Sequence, residues 1–133
     1  MKNQQGFTLI ELIVVIVILG IVGAAATARF QDLSGEAITA TGNGIKAELE
    51  SSASINYAKS LISNSALVTI EDGETCADVS TNLLQNGLPT GWSMATATLA
   101  ACTASGVVTT ECTLQRTGDT GAYSETLSLI CTG

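Results

Sequence analysis

Two sets of residues in this chain have the types and spacing to do chemistry. The first is the string Gly6-Phe7-Thr8-Leu9-Ile10-Glu11, which leads into an unbroken run of apolar and small residues ending near Ala28. The second is the four cysteines Cys76, Cys102, Cys112 and Cys131. Glu11 is the one charge in residues 7–28. An ionised side chain at bilayer depth costs about 2.5–3.5 kcal/mol on insertion scales, so such a residue needs a partner. No basic residue lies within a helical turn of it. A free α-amine four residues upstream would supply the missing cation from a neighbouring copy, provided the chain is cut before Phe7. Glycine at position 6 suits that cut, because it leaves the backbone open to a protease.

The cysteines point to redox chemistry rather than metal chemistry. They are even in number, fall late in the chain and follow an export signal, which favours two disulfides in an oxidising compartment. Their spacings of 26, 10 and 19 contain no close pair, and the chain has no histidine, which argues against zinc. The acidic turn Glu71-Asp72-Gly73-Glu74, with Asp78 beyond it, has the oxygen ligands calcium prefers. Its spacing fits no full loop motif, so no metal and no cofactor is expected. Without histidine or a nucleophile–base pair the chain is not expected to be an enzyme.

These residues need elements to carry them. Residues 7–28 span about 33 Å as a helix, at about 1.5 Å per residue, against about 30 Å of hydrocarbon. The helix does not stop there. Residues 29–62 lack proline, and Phe30, Leu33, Ala37, Thr41, Ile45, Leu49, Ala53 and Leu61 recur near a helical period. One helix is therefore predicted from Phe7 to about Ser63, apolar all round in its first half and amphipathic in its second. Gly20, Gly23 and the string Gly42-Asn43-Gly44 weaken it, placing any melting or bend at 20–28 or 42–44. Such a helix cannot bury its first half outside a membrane unless copies of itself surround it.

Beyond the helix, residues 67–70 read as a short strand and 79–86 as a short helix, with turn chemistry over 86–91. Strands are predicted at 92–100, 107–116 and 124–131, joined by Ala104-Ser105-Gly106 and Gly118-Asp119-Thr120-Gly121. Val108, Cys112 and Leu114 would share one face of the second strand, and Leu127, Leu129 and Cys131 one face of the third. A Cys112–Cys131 bond would join these strands and leave Cys76–Cys102 to fasten the irregular region. Four cysteines allow three pairings, and a tight turn would put Cys112 nearer Leu127 than Cys131, so register does not decide.

The N-terminal string resembles the prepilin signature of type IV pilins and their relatives, and the resemblance extends to about Leu33. It implies that a prepilin peptidase cuts between Gly6 and Phe7, that Phe7 is then N-methylated, and that Glu11 is the glutamate used in assembly. Many members carry proline where this chain has Ala28, so a proline kink is not expected here. Residues 29–61, with Phe30-Gln31-Asp32-Leu33 and Ser54-Ile55-Asn56-Tyr57-Ala58, look closest to mannose-sensitive haemagglutinin-type pilins.

The expected fold is α+β: a long N-terminal helix packed against a small C-terminal antiparallel sheet. Its parts are a leader at 1–6, a transmembrane and assembly half at 7–28, an amphipathic half at 29–63 and a globular head at 64–133. The apolar run follows the cut instead of preceding it, unlike an ordinary signal peptide, so it stays in the mature chain. Lys2 and Arg29 flank the span without fixing its orientation, and the cysteines place the C-terminal part outside the cytoplasm. Loss of residues 1–6 removes Lys2 and leaves four basic against twelve acidic side chains, a sum of −8. That charge argues against nucleic acid as a partner. The expected partners are further copies in a helical filament, the peptidase, the inner-membrane assembly machinery and, before assembly, the inner membrane. The resemblance leaves two alternatives to a pilus subunit: a minor pilin, or a pseudopilin of a type II secretion system. The major pseudopilin usually has a short head with a calcium loop and without disulfides.

Overall fold

The computed structural model describes residues 6–63, 68–95, 97–116 and 123–133, with residues 31 and 32 described for the backbone alone. The leader residues 1–5, Leu67 of the expected short strand and the expected turn at 118–121 lie outside the described residues. Helix α1 (Leu9–Ser63) comes first, followed by α2 (Cys76–Leu83). Five short strands complete the chain: β1 (Trp92–Met94), β2 (Val108–Thr109), β3 (Thr113–Arg116), β4 (Ser124–Thr126) and β5 (Leu129–Ile130). The layout is α+β, with a long apolar helix ahead of a small antiparallel sheet region. Contacts divide the chain into two compact units, Met1–Ala37 and Ile38–Gly133, and α1 contributes to both.

In the first unit the helix is apolar on every side from Leu12 to Ala26, and none of that stretch is buried. The large side chains from Phe7 to Val22 are all exposed. The helix runs unbroken through Gly20 and Gly23, and in the second unit through Gly42-Asn43-Gly44.

In the second unit one stripe of α1 is buried: Gly42, Ile45, Leu49, Ala53 and Asn56. Their spacing of three or four residues holds one face. The series expected from sequence stepped by four, and each such step advances about 40° around a helix of 3.6 residues per turn. It therefore drifts off the face at both ends, and Thr41 and Leu61 are exposed. Gly42 is in the stripe because a Cβ there would stand 2.5 Å from the Tyr123 ring and 2.7 Å from Trp92. The two rings meet edge to face at 5.2 Å, and the Tyr123 hydroxyl donates to Asn43 Oδ1 at 2.9 Å. The Ser128 N–H donates to Glu50 at 2.9 Å, and Lys46 lies 3.7 Å from Glu125. Asn56 is buried and bonds both backbone groups of Val68, donating to its carbonyl at 2.7 Å and accepting from its N–H at 3.0 Å. Ile70 exchanges two hydrogen bonds with Thr132, each 3.0 Å. Residues 68–70 are thus held from two sides without being a strand.

Helix α2 begins three residues earlier than the expected 79–86. Thr75 caps it, its hydroxyl accepting from the Asp78 N–H at 3.1 Å and donating to the Asp78 carboxylate at 2.6 Å. A threonine hydroxyl that accepts from the N–H three residues on is a standard N-cap, and the Asp78 carboxylate holds that hydroxyl in place.

Each long strand expected from sequence is cut short. After β1 the chain leaves the sheet, and residues 97–99 bond instead to residues 73–76 at the start of α2. The expected strand 107–116 becomes two pieces in two sheets. β2 pairs with β5, while β3 lies between β1 and β4 in a three-stranded sheet, and every pairing is antiparallel. The buried positions explain the break. Thr109 and then Cys112 and Leu114 are buried, so the inward phase changes from odd to even between the two pieces. Val108 consequently does not share the face of Cys112 and Leu114 and is 56% exposed. The expected face of Leu127, Leu129 and Cys131 is buried as a unit.

The cysteine pairing is corrected as well. The bonds are Cys76–Cys112 and Cys102–Cys131, not Cys76–Cys102 and Cys112–Cys131. Cys112 sits beside β4, where its carbonyl accepts from the Leu127 N–H at 2.8 Å. Cys131 lies past β5, exchanging hydrogen bonds with Gly106 and Val107 at the start of β2. The pairing of Thr113 with Thr126 puts Cys112 opposite Leu127, the register a tight turn implies, so Cys112 lies four residues short of Cys131. Cys76 reaches Cys112 because its N–H bonds Ala97 while Ala95 bonds Thr113 beside it. All four cysteines are buried. They pack with Ile45, Leu49 and Ala53 of α1 and with Leu99, Leu114, Leu127 and Leu129 in one core.

Candidate processing and assembly site

The reactive string from Gly6 to Glu11 folds as the entry to α1. Gly6, Phe7 and Thr8 precede the helix, whose first residue is Leu9. Thr8 stops it there. Its hydroxyl accepts from the Glu11 N–H at 3.4 Å and donates to Glu11 Oε2 at 2.9 Å, and its own N–H donates to the same oxygen at 2.8 Å. A threonine followed three residues later by glutamate is the signature of a reciprocal helix cap. The sequence carries it openly, beside the charge for which Glu11 stands out.

The cap changes what Glu11 requires. Its carboxylate has two local hydrogen-bond donors, both from Thr8, but neither carries a charge. Among the described residues the ion pair is Lys46–Glu125, far along the chain from Glu11. The need for an external cation therefore stands, eased but not met. Phe7, Ile10, Glu11, Val14 and Val15 line one shallow apolar groove, to which Glu11 contributes its methylene groups.

Gly6 and Phe7 are open to an approaching enzyme. Phe7 is 88% exposed. A Cβ built on Gly6 would meet nothing within 4 Å, so nothing among the described residues requires glycine there. The requirement has to come from outside. Gly20 and Gly23 are open in the same way. α1 is long and apolar enough to cross a membrane, and none of its most apolar stretch is buried within the chain. Of the site residues expected from sequence, Gly6, Phe7 and Glu11 fall together within about one helical turn. The cysteines form a separate structural set in the second unit.

A family model described as the prokaryotic N-terminal methylation motif matches residues 1–27. No solved structure matches the chain. The motif, which contains Gly6, Phe7 and Glu11, supports a type IV pilin-like or pseudopilin-like protein, with the peptidase processing and membrane anchoring that such a motif implies.

Proposed function

We propose that this chain is a structural subunit of a bacterial type IV pilus. It is held in the inner membrane by residues 7–28 with its cysteines on the outer side, cut by prepilin peptidase between Gly6 and Phe7, and N-methylated on Phe7. The pilus assembly machinery then polymerises it through its N-terminal helix into a surface fibre that serves adhesion and biofilm formation. The resemblance along residues 29–61 makes mannose-sensitive haemagglutinin-type pilins the proposed subgroup. The chain needs no cofactor and catalyses no reaction of its own.

The observation that carries this reading is the pairing of the methylation motif with a helix whose most apolar stretch is not buried within its own chain. Lipid can cover that helix before assembly, and other copies of it can do so afterwards. The cut also creates the cation that Glu11 lacks. An uncut Phe7 offers a neutral amide, whereas a cut Phe7 offers an amine that remains protonated when methylated. Glu11 of an incoming subunit then pairs with the Phe7 amine of the subunit ahead, which sets the axial register. The two disulfides favour a pilus subunit over a major pseudopilin.

The test is the intact mass of this protein in material sheared from the cell surface, with and without reduction. The reading expects a chain that starts at methylated Phe7 and gains four hydrogens on reduction. A correctly cut and methylated chain confined to the inner membrane would move the assignment to a pseudopilin or a scarce minor pilin. A chain that keeps residues 1–6 would refute the processing site.

A further inference from the structure

Glu111 has no part in processing or assembly, yet one of its oxygens collects three donors. Oε2 accepts from the Ala100 N–H at 2.8 Å, the Ala101 N–H at 3.0 Å and the Thr109 hydroxyl at 3.1 Å. The Glu111 N–H in turn donates to the Thr109 hydroxyl at 3.3 Å. Thr109 is buried and Glu111 half-buried. The placement in sequence is what gives this clasp a purpose. Ala101 immediately precedes Cys102, and Glu111 immediately precedes Cys112. The carboxylate therefore ties together the approaches to two cysteines that belong to different bridges.

These two cysteines are also the pair that an unfolded chain would join first. Cys102 and Cys112 are 10 residues apart, whereas the native bridges close separations of 36 and 29. If closure falls as loop length to the power 3/2, the short loop forms about sevenfold and about fivefold more readily than the native ones. Once formed, it leaves Cys76 to pair with Cys131, and neither native bridge can close. The native connectivity is interleaved, so neither bond can be chosen by nearness along the chain.

We propose that Glu111 is a pairing determinant, a carboxylate clasp that orders residues 100–111 before oxidation. It sets Cys102 toward Cys131 and Cys112 toward Cys76, against the shorter loop. Each bridge forms when two thiols give two protons and two electrons to an external disulfide, which leaves as two thiols. Glu111 takes no part in that transfer and acts only on which thiols meet.

The experiment uses the full chain in detergent, reduced under denaturant and returned to native conditions in a glutathione disulfide buffer. Free thiols are alkylated at intervals. The bridges are mapped with a protease that cuts at apolar residues, so that Cys102 and Cys112 fall in separate peptides in every variant. Glu111→Ala is compared with wild type and with Val79→Ala, which destabilises the same core from α2 without touching the clasp. The share of chains carrying a Cys102–Cys112 bond is expected to rise about fivefold or more in Glu111→Ala and to stay at the wild-type level in Val79→Ala, following the loop-length ratio. Thr109→Val, which removes one of the three donors, should give an intermediate share, and it decides the matter if Glu111→Ala does not refold. Equal bridge distributions in the clasp variants and Val79→Ala would overturn the proposal, since loss of stability alone would then account for any mispairing.

Discussion

Gly6 and Gly42 are glycines for opposite reasons. A side chain at Gly6 would meet nothing, while one at Gly42 would run into Tyr123 and Trp92. The contrast extends to the two units that contain them. From Phe7 to Val22 the large apolar side chains face outward, and no neighbour among the described residues explains them. From Ile38 onward the buried residues explain one another, down to Asn56 against Val68 and Tyr123 against Asn43. The first unit is specified by what it meets outside the chain, and the second by its own packing. A fibre subunit needs this division, because its assembly surface has to stay unsatisfied until copies meet, while its head has to be finished beforehand.

Substitutions can break the comparison or sharpen it. The largest effect is expected from Glu11→Ala. The proposed pairing with the Phe7 amine of the next subunit would be lost, and fibre yield should fall about a hundredfold or more. Quantified sheared fibres should show that loss, while the cut at Gly6 and the melting temperature in detergent stay at wild-type values. Gly42→Ala should do the reverse. Overpacking against the two rings costs about 1–3 kcal/mol, and each kcal/mol shifts the melting of a unit of about 100 residues by about 4–8 °C. Thermal melts followed by circular dichroism would register it. Tyr123→Phe, which deletes the bond to Asn43, should lose about 0.5–1.5 kcal/mol. Gly44→Ala should gain about 0.5–1 kcal/mol, because that helical glycine faces open space. If Gly42→Ala and Gly44→Ala melted alike, close packing would not be the reason for Gly42.

The smallest effects are those of pH, and both lie in the second unit. The backbone N–H groups of Ala100 and Ala101, helped by Thr109, hold the Glu111 carboxyl below its ordinary value. A depressed carboxyl contributes stability above the unfolded pKa of about 4.3 and loses it as pH falls through the folded value. Glu111→Gln should therefore flatten the acid limb of a stability–pH curve. Burial, with the charges of Glu125 and Glu50, pushes the Tyr123 hydroxyl up. Its contribution is complete below the unfolded pKa of about 10 and disappears as pH rises through the folded one. Tyr123→Phe should flatten the alkaline limb.

Much of the first unit could be read from the sequence, because a motif that meets external partners is written in consecutive residues. The apolar run, the lone acid and the small residue before the cut all lie between Gly6 and Ala28. The Thr8–Glu11 cap is just as local, and it becomes legible once Glu11 is read as a hydrogen-bond acceptor as well as a charge. Thr75–Asp78 repeats that lesson at α2. The second unit was harder for a physical reason. A strand reads as continuous while its alternation looks continuous, and the shift of phase between Thr109 and Cys112 falls where Glu111 turns to residues 100 and 101. That contact comes from a distant segment, so no local pattern announces it. The cysteine pairing is not local either: Cys76 meets Cys112 only through the bonds that residues 95 and 97 make to residues 113 and 76. Gly42 looked like a weakness in the helix because its reason, Tyr123, lies some eighty residues away.

The claim that the first unit is specified from outside is tested most directly at Gly6→Val, with intact mass and melting temperature measured on the same preparation. A side chain there has open space, so the account predicts an unchanged melting temperature together with a chain that keeps residues 1–6 and an unmethylated Phe7. A mature mass beginning at methylated Phe7 would contradict the cleavage site. A lowered melting temperature would mean that the glycine serves the fold after all.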